Sequence, residues 1–178
     1  MTTRVSIDWR ILADAIAYYE SLGYEYVETP WVVPLDVLRI TFDGNHLETG
    51  DGRGLVGSAE QGFLALDLPL GRYVSCSPCF RGDEPDELHH SDFMKVELFV
   101  TSSSSTVESV ISDAKNLLSR YCSCEVVETQ EGFDIECGGV ELGSYGERKQ
   151  NNFRWVYGTG VALPRLSQAV AKEKRSPK

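Results

Sequence analysis

Residues 80–97 read FRGDEPDELHHSDFMKVE, an Arg, two His and an aromatic residue set between two segments of strand character. Residues 73–80 and 92–100 are rich in apolar, aromatic and β-branched side chains, which predicts two strands joined by this loop as an antiparallel hairpin. Arg81 sits at the end of the first strand, where a guanidinium carries a desolvation cost unless it meets an anion. Residues 157–166, YGTGVALPRL, add glycines that allow close backbone approach to a flat or phosphorylated ligand. Neither stretch decides the matter alone, but together they outline one site.

Composition limits the alternatives. A chain of 178 residues with 42% hydrophobic content is predicted to form one domain, residues 1–178, with a basic, polar and frayed tail over 172–178. Its formal net charge of −10 argues against a broad nucleic-acid-binding face, which needs a basic patch to release counterions. The sequence has no charged-then-apolar leader and no run of about 18 apolar residues, so a soluble, cytoplasmic protein without a membrane span is expected. Among the five cysteines, Cys76 and Cys79 with Cys122 and Cys124 have the spacing of a four-thiolate zinc site. The plainer reading is buried free thiols, because a strand through residues 73–80 turns Cys76 and Cys79 to different faces.

Residues 7–22 place Trp9, Leu12, Ile16, Tyr19 and Leu22 at helical spacing after Ser6 as a cap, ending near Gly23. Residues 24–29 alternate as a strand that Pro30 interrupts at a sheet edge or an interface. Residues 43–54 are a loop, residues 55–66 are ambiguous, and a helix runs from 107 to 120. Strands are predicted over 125–128, 132–137, 140–144 and 153–157, with residues 158–160 turning into a last helix. Strands joined by short turns, rather than by regular helical crossovers, predict an α+β fold with an antiparallel β-sheet flanked by helices.

Five short motifs occur in order along this pattern. Residues 23–30 (GYEYVETP) form a helix-then-strand unit ending in Pro, and residues 57–60 read GSAE. Phe80-Arg81-x-Asp83 is followed by His89-x₃-Phe93-x₃-Glu97, then by Asp134-x₆-Glu141-Leu142-Gly143-Ser144-x₃-Arg148 and Gly158-x-Gly160-x₂-Leu163-x-Arg165-Leu166. This series resembles the catalytic core of class II aminoacyl-tRNA synthetases, with the Asp134 to Arg148 segment similar to the metal-binding strand pair of the lysyl, aspartyl and asparaginyl subgroup. Each residue also has a plain structural reading: Arg81 as a surface partner of Asp83 or Glu97, Glu60 and Glu141 as solvated carboxylates, and 158–160 as an ordinary turn.

The resemblance implies ATP-dependent amino-acid activation through an aminoacyl-adenylate, with ATP and Mg²⁺ at the site. It assigns Arg81 to the α-phosphate and substrate carboxylate, Asp83 to the adenine end, His89 to the γ-phosphate, and Phe93 to stacking under adenine. It further gives Arg165 the other face of the base, Gly158 and Gly160 the nucleotide, Glu60 the substrate ammonium, and Glu141 with Asp134 the Mg²⁺. A hairpin through Gly138-Gly139 would put those last two carboxylates on neighbouring strands. The family's homodimer interface maps to residues 7–30, with Trp31, Val32 and Val33 as an adjoining apolar cluster.

The chain leaves no room for an anticodon-binding domain, and the loop at 82–88 carries four carboxylates where the family approaches tRNA. The expectation is therefore a free-standing core that transfers its acyl group to a tRNA or to another acceptor such as a carrier protein or protein side chain. The alternative is a non-catalytic paralogue that binds a ligand and regulates. Any tRNA contact would use Arg148, Lys149 and Arg154 or the tail residues Lys172, Lys174, Arg175 and Lys178.

Overall fold

The computed structural model describes residues 7–82, 84, 90–102 and 105–175. The first helix, α1 (Trp9–Ser21), is capped by Asp8, whose carboxylate accepts the Arg10 backbone N–H at 3.1 Å. Ser6, expected as the cap, lies outside the described residues, and Asp8 fills that role. Leu12, Ala15 and Tyr19 form the buried stripe of α1, and Gly23 ends it at φ +84°, where glycine pays no Cβ penalty. After β1 (Glu25–Tyr26), β2 (Val32–Pro34) and α2 (Leu35–Leu38) lead to β3 (Arg53–Leu55). The ambiguous stretch at 55–66 resolves into the end of β3 and α3 (Ala59–Leu64), which Ser58 and Gln61 close with a reciprocal capping box.

The hairpin strands are β4 (Arg72–Phe80) and β5 (Asp92–Val100), followed by α4 (Val107–Leu118) with Thr106 as its cap. Then come β6 (Glu125–Glu128), β7 (Phe133–Cys137), β8 (Val140–Gln150), β9 (Phe153–Leu163) and α5 (Arg165–Arg175). The main sheet has seven strands in the order β1-β4-β5-β9-β8-β7-β6, antiparallel throughout except where β1 joins β4. This is the α+β architecture predicted from the sequence. Among the described residues no helix is long and apolar enough to cross a membrane.

Strand alternation gives the sheet two distinct faces. Val74, Val96, Leu98, Val100, Ile135, Leu142, Val156 and Val161 project from one face onto α1, α4 and α5 and make the main core. The opposite face carries Tyr73, Phe99 and Trp155 against Ala59 and Phe63 of α3 at one end. The polar residues Ser75, Ser77 and Glu97 are buried on the same strands of that face.

Several expected boundaries shift. The strand expected over 24–29 is limited to Glu25–Tyr26 as a ladder element. Val33 is fully buried and Val32–Pro34 pairs with β3, so of the apolar cluster after Pro30 only Trp31 stays exposed. Residues 158–160 are not a turn but the interior of β9. A Cβ on Gly158 would lie 2.7 Å from Tyr145 and 2.8 Å from Val110, and one on Gly160 would lie 2.8 Å from Tyr19. These glycines answer to close packing on the core side, which a turn reading mistook for punctuation. Likewise β8 runs well past Ser144 to Gln150, and α5 stays helical through Arg175 rather than fraying from Lys172. The hairpin turn at Gly138 and Gly139 is as expected, with φ values of +57° and +72°.

Candidate functional site

The polar face of the sheet is built by a period-2 pattern within Met94-Lys95-Val96-Glu97-Leu98. Val96 and Leu98 point into the core, so Lys95 and Glu97 must point the other way, beneath α3. There they satisfy each other, with Lys95 Nζ 2.8 Å from Glu97 Oε1. The second Glu97 oxygen accepts the backbone N–H of Ala59, the first residue of α3. Burial alone would pull the Lys95 ammonium down, but the charge of Glu97 and its hydrogen bond outweigh it and the net direction is upward. The Lys95 charge is therefore retained in the interior.

Glu60, on the first turn of α3, points into the same space and is 7% exposed. Its Oε1 accepts the indole N–H of Trp155 at 2.7 Å and lies 3.2 Å from Arg148 Nε. Burial pushes the Glu60 carboxyl above its ordinary range, while the Arg148 charge and the Trp155 hydrogen bond act against the shift. The Arg148 guanidinium lies over the Tyr157 ring, 4.6 Å from its centroid. Arg148, expected on an exposed basic strip, is instead part of this site.

Arg81 emerges just past the end of β4. Its guanidinium is 5.0 Å from the centre of the Phe42 ring and 5.9 Å from that of Phe93, and its buried Nε has no hydrogen-bond partner among the described residues. The Phe42 ring can take this position because Gly57 has no side chain, since a Cβ there would stand 2.6 Å from the ring. A cavity of about 160 Å³ is lined by Arg81, Phe42, Glu60, Lys95, Glu97 and Arg148, together with Ser58, Gln61, Ser144, Tyr157, Gly158 and Thr159. Arg81, Glu60 and Gly158, chosen from sequence, thus converge on one cavity.

A second group lies where β7, β8 and α5 meet. Asp134 pairs in register with Ser144, Glu136 pairs with Glu141, and Arg165 Nη1 lies 3.0 Å from Glu141 Oε1. The Asp134 carboxyl is raised by burial, then by the nearby charges of Glu141 and Glu136, with Arg165 opposing. Asp134 and Glu141 therefore share one region of negative potential, as the hairpin reading required. Asp83 and His89 lie outside the described residues. No cluster of three or more metal-ligating side chains occurs among the described residues.

The five cysteines are free. Cys76 packs against the main core while Cys79 faces the other side of β4, and the Cys122 and Cys124 sulfurs approach to 3.9 Å. The buried-thiol reading is the one the structure supports. Burial pushes the Cys76 thiol up to about 11 and the Cys79 thiol higher still.

Lys95, Phe42, Gln61 and Tyr157 were not picked out by sequence reasoning. The signal for Lys95 and Glu97 was available: two opposite charges alternating with core residues inside an apolar strand cannot both be solvated when the strand is central. Phe42 had no local signal, because its role depends on a glycine fifteen positions away.

No protein-family model matches the chain, and no curated protein matches it in sequence. Among solved structures it is similar to seryl-tRNA synthetase from Pyrococcus horikoshii complexed with ATP, with a TM-score of 0.80, 21% identity, and coverage of 95% of this chain and 51% of that one. Pyrrolysyl-tRNA synthetase from Desulfitobacterium hafniense matches with a TM-score of 0.73, 17% identity, and coverage of 95% and 73%. Cytoplasmic serine-tRNA ligase from Naegleria fowleri in complex with AMP matches with a TM-score of 0.73, 17% identity, and coverage of 94% and 49%. The chain spans about half the length of the two seryl enzymes. Its fold is that of the class II aminoacyl-tRNA synthetase catalytic domain.

Proposed function

We propose that the protein is an ATP-dependent, AMP-forming amino-acid-activating enzyme that makes an aminoacyl-adenylate and passes the acyl group to a tRNA or another acceptor. The observation that carries this reading is Arg81, a guanidinium flanked by Phe42 and Phe93, with an unpartnered buried Nε, at a cavity that also holds Glu60. A fold shared with proteins solved with ATP and with AMP supports it.

The chemistry asks for alignment and charge neutralisation. A substrate carboxylate is already ionised, so no general base is required. One of its oxygens bonds to the α-phosphorus as the bond to the bridging oxygen of pyrophosphate breaks, and pyrophosphate leaves with that electron pair. Arg81 bridges the carboxylate and the α-phosphate with its planar fork, and Glu60 receives the substrate ammonium. Phe93 and Arg165 flank the adenine, Gly158 and Gly160 offer backbone close to the nucleotide, and the resemblance gives Asp83 and His89, outside the described residues, its adenine and γ-phosphate ends.

Glu141 and Asp134 suit Mg²⁺, which takes one or two carboxylates and completes its shell with phosphate oxygens and water. When bound, the ion would neutralise developing phosphate charge. Arg165, paired with Glu141, would then be free to lie over the base and reach the γ-phosphate. The described residues are read as one catalytic core, its metal-binding strand pair as that of the lysyl, aspartyl and asparaginyl subgroup, and its working form as a homodimer.

The Arg165–Glu141 pair also favours a second reading, a non-catalytic binder whose nucleotide site is closed by its own charges. Trapping the adenylate with hydroxylamine separates the two. An active enzyme forms hydroxamate and AMP from ATP and an amino acid, and Arg81→Ala abolishes this. ATP binding without hydroxamate would contradict the activation reading.

A further inference from the structure

We infer that Cys122, Cys124 and Cys137 form a thiol–disulfide exchange site, which takes a small disulfide of the glutathione class at Cys124 and closes an internal disulfide on Cys122. The site is separate from the cavity and does not depend on the activation reading. It lies where the chain leaves α4 for β6, beside Cys137, the last residue of β7. All three side chains belong to the main core, Cys122 being 7% and Cys137 1% exposed, while Cys124 is partly open to solvent. The Cys122 and Cys124 sulfurs are 3.9 Å apart, and the Cys137 thiol is within hydrogen-bonding reach of Cys122. Cys122 is thus the common neighbour of one accessible thiol and one buried thiol. Ser123 donates its N–H to Glu173 of α5 at 3.0 Å, and the Gly138 carbonyl accepts from Lys172 at 3.4 Å, so both cysteine-bearing segments meet the same helix.

Exposure and neighbours select the point of entry, because the attacking species is a thiolate that must reach its target. Burial raises the Cys124 thiol, but hydrogen bonds with Cys122 and Ser119 and the nearby Lys115 charge act against the rise. Cys122 has no such help: burial pushes it up, and Cys137 and Cys124 push it further. In the first exchange the Cys124 thiolate bonds to one sulfur of the small disulfide and expels the other half, which takes up a proton. Cys122 then loses its proton and bonds to the Cys124 sulfur, and the second half leaves as a thiol. Two protein thiols are oxidised to one disulfide, and one small disulfide is reduced to two thiols. Cys137 can carry the bond inward by attacking the Cys122 sulfur and returning Cys124 to its thiol form. A dithiol stabilised in its reduced form gives an easily reduced disulfide, and burial denies Cys122 and Cys124 the thiolate stabilisation that would do this. Cys76 and Cys79 stand outside this chemistry, since alternation along β4 turns them to opposite faces.

The test incubates the whole chain with oxidised and reduced glutathione at a series of ratios, quenches with acid, alkylates with N-ethylmaleimide in denaturant and maps the peptides. Fully reduced protein takes five alkylations, one for each free cysteine. The expected oxidised form takes two fewer, with Cys122 bonded to Cys124 or Cys137 and with Cys76 and Cys79 still alkylated. Cys122→Ser should stop at a stable glutathionyl adduct on Cys124, and Cys137→Ser should still close the Cys122–Cys124 bond. Cys124→Ser alters a partly exposed atom and leaves the buried pair in place, so it tests the entry step even where the buried variants do not fold, and its remaining thiols should stay fully alkylated. Wild type that keeps all five thiols at the most oxidising ratio overturns the inference, as does oxidation of Cys76 or Cys79 as fast as that of the cluster. A Cys122→Ser protein without the adduct, a Cys137→Ser protein without the Cys122–Cys124 bond, or a Cys124→Ser protein that closes a disulfide as readily as wild type, overturns it as well.

Discussion

A guanidinium held against two aromatic rings, with a buried Nε that no described residue satisfies, has given up hydration without yet gaining an anion. Arg81 is in that state, and Glu60 is in the complementary one, a carboxylate whose burial pushes its pKa up while Arg148 and Trp155 hold it down. Because Glu60 binds its proton more tightly when folded than when unfolded, its contribution to stability is complete below the unfolded value of about 4.3 and is lost as pH rises through the raised folded value. Glu60→Gln does not titrate. Its stability relative to wild type should therefore increase as pH rises above about 4 and through the raised Glu60 value, read as the difference in urea midpoints. A difference that stays constant over that range would contradict the burial argument.

At the scale of elements, the site depends on surfaces brought together from distant sequence. Gly57, just ahead of α3, makes room for Phe42, and Phe42 flanks Arg81 at the end of β4. Gly57→Ala should therefore destabilise the fold by about 1–3 kcal/mol, as overpacking does, and should weaken ATP binding through a displaced Phe42. Unchanged thermal stability with unchanged ATP binding would show that the loop has slack to spare. The β4–β5 hairpin, α4 and the β7–β8 turn were legible in the sequence because local signals agreed there: apolar and β-branched strand residues, apolar residues at helical spacing, and paired glycines. The length of β9 was not, since Gly158 and Gly160 read locally as a turn and only the side chains stacked on them explain their presence. Arg81 stood out as a guanidinium in an apolar strand, whereas Glu60, Asp134 and Glu141 were assigned through the resemblance. Arg148 was chosen for the wrong surface, because its pairing with Glu60 spans 88 positions and leaves no mark in local sequence.

For the whole molecule, four of the eight exposed large apolar side chains among the described residues, Trp9, Leu22, Tyr26 and Trp31, lie in the N-terminal stretch, Trp9 63% and Trp31 51% exposed. β1 is an edge strand of the seven-stranded sheet. These features support a homodimer through α1 and β1, although Val32 and Val33, once expected at that interface, are taken up by pairing and burial. Sedimentation at tens of micromolar should give twice the chain mass of 19.8 kDa, and a monomer would contradict the dimer. The acceptor is less constrained, because Arg148 lines the cavity and Arg154 is paired with Glu147. Of that basic strip, Lys149 and, in the last turn of α5, Lys174 and Arg175 are the positions left for a tRNA. All of this presupposes activation chemistry centred on Arg81. Pyrophosphate exchange into ATP tests that most directly when it is measured with wild type and Arg81→Ala side by side. Exchange is expected to need both Mg²⁺ and an amino acid and to fall about 10²- to 10³-fold in the variant, whereas equal rates in the two proteins, or none in wild type, would contradict that chemistry.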